Sequence, residues 1–248
     1  MSAQGGWRAS AMLLAALLIL WQLLYLVIGD IALRSPLQTV SHLVELFGSP
    51  RFWPHLTETV RAFGAAMLIA TGAGLAIGFL LGLSRFAAAA FEPVLVALYS
   101  IPKVTLYPIV LLAFGLGMPA KIAFGAIHGL IPIALFTING VRNVRPVFLK
   151  TGRVLRLSRL QMVRRVLLPA ALPEIFSGLR IGFSLTLIGT ILGEMFASQR
   201  GLGSLLMSAI GLHNLDVIMS VTLLIVAFAA TVSGVLLAID RRLRFRAR

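Results

Sequence analysis

The chain has no cysteine, which excludes disulfide bridges and thiolate metal sites. It is also short of charge: 12% of its 248 residues are charged, about half of what a soluble domain carries. Acids are the scarcest class, eight against 22 Lys and Arg. No acid pairs with a histidine or serine in a hydrolase-like motif, and no G-x-x-x-x-G-K-[ST] loop is present. The four histidines, His42, His55, His128 and His213, fall on separate segments without metal-ligand spacing. These absences point away from an enzyme and from a resident cofactor or metal.

Apolar residues make up 59% of the chain, and apolar runs of about 20 residues recur. The expected fold is all-α, a polytopic membrane protein with six transmembrane helices. The expected spans are Ala11–Gly29, Thr57–Leu83, Val94–Phe114, Ala120–Val141, Glu174–Ala197 and Asp216–Ile239. The first could be taken for a signal peptide, but its length, Trp21, Tyr25 and the lack of a clear cleavage site favour a retained helix. Residues 84–93 read as a short Ala-rich loop, and Pro102 and Pro108 interrupt the third span. Leu37–Phe47 reads as an amphipathic helix at the interface, with Trp53 as an anchor. Gly72, Gly74, Gly78 and Gly82 favour close helix packing. The domain reading is a first span and extracytoplasmic segment (1–56), a core (57–240) containing a basic loop (142–176), and a basic tail (241–248).

The formal charge of +14 would suggest nucleic acid in a soluble protein. Here the cations flank spans, so they report topology, and no nucleic acid is expected. Six spans put both termini and the loops 84–93 and 142–176 on one side, with 15 of the cations; the other side has five. The positive-inside rule makes the first side cytoplasmic. Two ionisable groups stand inside apolar runs, where a charge is costly and marks function by default. Lys103 follows a helix-breaking proline and either lines a path, with Tyr107 one turn on, or sits in a structural elbow. Glu194 lies near the far end of the fifth span and is path-lining or interfacial. Arg180, one turn from the cytoplasmic end, reads as snorkelling.

The longest interval that cannot span is Asn143–Ser177. Arg142, Arg145, Lys150, Arg153, Arg156, Arg159, Arg164 and Arg165 supply eight cations with no acid among them. Pro146 suits a helix start. Ser158 and Gln161 form a capping-box pattern that opens a second short helix, with Leu160, Val163 and Leu167 on one face. Leu168-Pro169 is expected to end it. A short basic element with an apolar face suits docking to a partner, or to anionic lipid headgroups.

This stretch resembles the cytoplasmic coupling loop of binding-protein-dependent ABC transporter permeases. That loop follows the pattern E-A-A, three residues, G, nine residues, an aliphatic residue, one residue, L-P. Anchored on Leu168-Pro169, the aliphatic position is Val166; Ser158-Arg159, Gln161, Arg164-Arg165 and PAALP (169–173) also fit. Lys150-Thr151-Gly152 stand in place of E-A-A, and Arg156 in place of the glycine. IPKVTLYPIVLLAFGLG (101–117), GLRI (178–181) and GEMFASQRGLGSLL (193–206) are similar to the nitrate, sulfonate, taurine and bicarbonate branch. The resemblance implies a permease of the type I importer kind, in a bacterial inner membrane, moving a small anionic solute inward by alternating access. It implies cytoplasmic ABC ATPase subunits, an extracytoplasmic solute-binding protein and a second permease copy as partners. The coupling residues would be Lys150, Arg153, Leu155, Arg156, Ser158, Leu160, Gln161, Val163, Arg164 and Pro169; the path residues would be Lys103, Tyr107 and Glu194. An ion-coupled secondary transporter is the alternative, although inverted repeats and several intramembrane acids are not seen.

Overall fold

The computed structural model of the protein describes residues 3–246, and side chains over 11–242 except Arg159 and Ala197. Expectations resting on the Arg8 and Arg159 side chains and on those of the tail beyond 242 lie outside the described residues. Eleven α-helices occur among those residues: α1 Ala3–Ile28, α2 Pro36–Gly48, α3 Trp53–Gly82, α4 Arg85–Ser100, α5 Tyr107–Phe114, α6 Met118–Arg142, α7 Pro146–Val154, α8 Arg159–Met162, α9 Leu168–Ala197, α10 Leu202–Gly211 and α11 Leu215–Arg246. Five helical stretches are long and apolar enough to cross a membrane, and a bent pair makes a sixth.

The centre is a three-helix layer of α3, α6 and α9, with α6 the most enclosed. Between lipid-solvated helices there is no hydrophobic gain in contact, so close backbone approach through small residues must hold them. On α3 a small residue recurs every fourth position, Ala62, Ala66, Ala70, Gly74, Gly78 and Gly82, and all are buried. A Cβ on Gly74 would stand 2.9 Å from Ile133 Cβ of α6, and one on Gly82 3.0 Å from Val141 Cβ. Gly72 is off this stripe and faces open space, so the expected glycine contact holds for the other three only. Gly125, Gly129 and Gly140 of α6 meet α9 in the same way, Gly129 closing directly on the Thr186 hydroxyl.

The interval 84–93 is not a loop. Ser84 caps α4 by accepting from Ala87 N at 3.2 Å, and the alanine-rich segment continues as helix to Ser100. Alanine has the highest helix propensity, and that outweighs Pro93 inside the helix. The third span is therefore α4 plus the short turn Lys103–Leu106 and α5, bent by 89°. The break lies at Ile101-Pro102; Pro108 sits harmlessly in the first turn of α5.

Helix α2 is capped by Ser35 and Gln38, each accepting from the other's backbone N–H at 3.2 and 2.8 Å. It docks on α11, where Ser220 Oγ donates to Thr39 O at 3.1 Å and meets His42 Nδ1 at 3.2 Å. Arg34 joins the same corner, its Nε 2.6 Å from Asp216 Oδ1; this hydrogen bond holds the guanidinium pKa above its ordinary value. Trp21 Nε1 donates to Arg34 O at 2.9 Å and ties α1 to it. The polar segment 198–215 contains α10, and α11 runs on through the basic tail to Arg246.

Candidate coupling and translocation sites

At the end of α6, Arg142 pairs with Glu92 of α4 at 2.6 Å. Helix α7 starts at Pro146 and ends in a Schellman closure. Arg156 N donates to Arg153 O at 2.9 Å, and Leu157 N to Gly152 O at 3.0 Å. That closure needs a left-handed residue, and Arg156 supplies it at φ 50. The residue standing at the related pattern's glycine thus keeps a glycine-like backbone. Gly152, at the place of the second alanine, is buried against Met162 of α8.

Ser158 then opens α8 as its spacing predicts. Its N–H donates to Gln161 Oε1 at 2.9 Å, and Gln161 N donates to Ser158 Oγ at 3.3 Å. The helix does not end at Leu168-Pro169. Val163–Leu167 form a π turn, and α9 continues through Pro169 and Pro173. Proline lacks an N–H and its ring collides with the carbonyl four residues back. The wider π turn just before it eases that collision, and Leu168 keeps helical angles of φ −61 and ψ −51. The aversion of a pre-proline residue to the helix is a bias that this turn overrides.

Leu155 and Leu160 are exposed, Leu160 at 67%, and Val163 is half-buried. Lys150, Arg153, Arg156, Ser158, Gln161 and Arg164 are exposed, as is Pro169 at the base of α9. Among the described residues, none of Lys150, Arg153, Arg156, Arg164 and Arg165 is paired with a carboxylate. Between α7 and the base of α9 lies a cleft of about 450 Å³, walled by Phe148, Leu155, Leu157, Val166 and Arg165.

Within the membrane, Lys103 sits at the bend of the third span and is half-buried. Its Nζ donates to Tyr99 O at 3.0 Å and lies 4.8 Å from the centre of the Tyr99 ring. A cation on the last carbonyls of α4 complements that helix end. Tyr107 is buried. Its hydroxyl donates to Gly193 O at 2.9 Å, and its ring meets Phe124 and Phe196 at 4.9 and 5.6 Å. Arg180 lines a cavity of about 430 Å³ with Tyr99, Ser184 and Ser233. Tyr107 thus ties α5 to α9 one residue before Glu194, while Lys103 turns back onto the end of α4.

Glu194 is 0% exposed near the Ala197 end of α9. Thr59 Oγ1 lies 2.9 and 2.8 Å from its two oxygens and donates to the carboxylate. Gly203 N donates to Oε2 at 3.0 Å, and Leu202 N donates to Thr59 Oγ1 at 2.8 Å. Gly201, at φ 128, leaves no room for a side chain, because a Cβ there would collide with this carboxylate. Beside it, Lys121 is 1% exposed; its Nζ pairs with Glu58 at 2.9 Å and donates to Arg200 O at 2.8 Å. Sequence reasoning places Lys121 in an outer flank and misses this pair. Its only signal is a lone cation one turn inside an apolar helix. Among the described residues, no group of three or more His, Asp and Glu could hold a metal.

Residues 70–248 match the family described as binding-protein-dependent transport system inner membrane component. The chain belongs to that family. It is a membrane-spanning permease subunit of an ABC importer. The permease is 30% identical over 206 residues to the putative aliphatic sulfonates transport permease protein SsuC of Bacillus subtilis, covering 82% of this chain and 75% of that one. It is 30% identical over 237 residues to the taurine transport system permease protein TauC of Escherichia coli, covering 93% and 86%. With the nitrate import permease protein NrtB of Leptolyngbya laminosa it shares 34% over 197 residues, covering 75% and 70%. Its fold matches the MetNI methionine ABC transporter in inward-facing conformations, with a TM-score of 0.68 at 21% identity over 79% of this chain and 98% of that chain. It also matches a bacterial ABC transporter involved in import of the acidic polysaccharide alginate, with a TM-score of 0.67 at 17% identity over 96% of both chains.

Proposed function

We propose that this permease moves a small anionic solute inward across a bacterial inner membrane, both termini cytoplasmic, by alternating access. ATP is hydrolysed on separate cytoplasmic subunits that dock on the element between α6 and α9. A solute-binding protein delivers the solute on the far side, and a second copy of the chain completes the pathway. The observation that carries this reading is mechanical. From Leu160 to Phe196 the helix is continuous over 37 residues, so the exposed docking element and the membrane core share one rod. A displacement at Leu160 therefore reaches α9 through unbroken helix, by way of the π turn at Val163–Leu167.

The solute class follows from charge. The relatives' names include sulfonates, taurine, nitrate and bicarbonate, but also riboflavin. Lys103 at the bend and Arg180 in its cavity favour an anion, since a cation within the membrane raises the local concentration of anions. Lys103 and Tyr107 are assigned to the path, and Glu194, wholly enclosed, to holding the outer end together.

The test is purification of the permease from its host with the ATPase subunits it retains, followed by reconstitution. Uptake driven by ATP, unaffected by collapsing ion gradients, supports the reading; uptake that follows the gradient instead selects the secondary transporter. Leu160→Asp should release the ATPase or uncouple it while the permease stays inserted.

A further inference from the structure

The basic element carries more charge than a contact through Leu155, Leu160 and Val163 requires. Five described cations, Lys150, Arg153, Arg156, Arg164 and Arg165, stand on one short segment without a carboxylate partner. Like charges at this density repel one another, so a counter-surface of opposite sign is missing. Two chemistries could supply it, anionic lipid headgroups or an acidic protein surface.

The apolar part of the surface decides between them. Leu155 and Leu160 stand exposed beside the cations, and the cleft between α7 and the base of α9 is walled by Phe148, Leu157 and Val166. A headgroup layer brings charge but no side chain to seat in such a cleft, whereas a protein surface brings both.

We propose that the ATPase subunit of this transporter presents an acidic groove to the permease, with carboxylates opposite Lys150, Arg153 and Arg156 and an apolar side chain seated in the cleft between α7 and the base of α9. The proposal rests on the docking reading above. The cleft, about 450 Å³ and lined mainly by Phe148, Leu157 and Val166, has room for one large side chain, and Arg165 at its wall adds a cation. Lys150 stands where the related pattern carries an acid, so the sign of the contact is reversed at that position. Such a surface selects its partner: an ATPase with a basic groove is repelled before apolar contacts form.

The test uses the permease with its co-purified ATPase subunits in an uncharged detergent free of anionic lipid. Association is measured from about 50 mM to about 500 mM salt, for the wild type, Lys150→Glu/Arg153→Glu and Leu160→Asp. Both basic positions are exposed, so the double variant should elute as the wild type does. The expected result is a weakening of at least about ten-fold on raising salt and again on charge reversal, because each exposed pair turns from attraction to repulsion. Salt-independent binding retained by the charge reversal but lost in Leu160→Asp overturns the acidic groove and leaves docking intact. Binding that survives all three changes overturns the docking reading and the groove with it. Loss confined to vesicles containing anionic lipid, with detergent binding unchanged, assigns the cations to lipid and overturns the proposal.

Discussion

The Thr59 hydroxyl and the Glu194 carboxylate meet at 2.8–2.9 Å across 135 positions of sequence. Together they pin the Ala197 end of α9 to the first turns of α3. The amides of Leu202 and Gly203 close on the same two side chains, so α10 is held in place as well.

This knot makes Thr59→Val informative. The variant keeps the shape but leaves a buried carboxylate one donor short and Leu202 N without its acceptor. Each orphaned group costs about 1–3 kcal/mol. Thermal unfolding in detergent should show a clear loss of stability. Glu194→Gln should be milder than Glu194→Ala, since the amide oxygen still accepts from Gly203. Equal stability of all three variants with the wild type would remove the structural role given to Glu194.

The α3–α6 contact predicts sensitivity to one methyl group. Gly74→Ala and Gly78→Ala place a Cβ against Ile133 and Thr137 of α6. Overpacking of this kind costs about 1–3 kcal/mol. Gly72→Ala, two residues away and facing open space, should leave the melting temperature unchanged. Three indistinguishable melting curves would argue against the observed register of the two helices.

Arg156 sets up a test of backbone against side chain. At φ 50 a β-branched residue is disfavoured by about 1–2 kcal/mol, whereas glycine is not. Arg156→Gly should keep or raise the stability of the isolated permease, and Arg156→Val should lower it. The reverse order would mean that α7 does not close through a left-handed residue.

Ser158→Ala removes the side-chain acceptor of the α8 cap, which costs about 1 kcal/mol. Hydrogen exchange at Gln161 should accelerate, while ATPase association weakens far less than in Leu160→Asp.

Topology and path can be checked by labelling. Reporter fusions after Arg85, after Arg165 and at the C-terminus should all report cytoplasm; a report from the far side at 165 would invert the orientation. A cysteine at position 103 should react with a small water-soluble thiol reagent and be slowed by the transported anion. One at 107 should react more slowly, since Tyr107 is buried against Phe124 and Phe196.

Spans, the basic element and the Ser158 cap could be read from local sequence because each depends on neighbours within one or two turns. Hydropathy marks what can enter lipid, and a capping box involves residues three apart. The run of cations likewise excludes 142–165 from the bilayer without reference to anything distant. What the tertiary structure decided were the outcomes where one local preference competes with another or with a remote contact. Pro169 signals a stop, yet a π turn just before it lets the helix pass. Alanines 87–90 look like a linker and fold as helix once Ser84 caps them. Lys121 and Glu194 look alike in sequence, single charges in apolar runs, and nothing near them names Glu58 or Thr59 as partners. Burial of a charge is tolerated only where distant groups converge to satisfy it, and that convergence exists only when α3, α6 and α9 are packed.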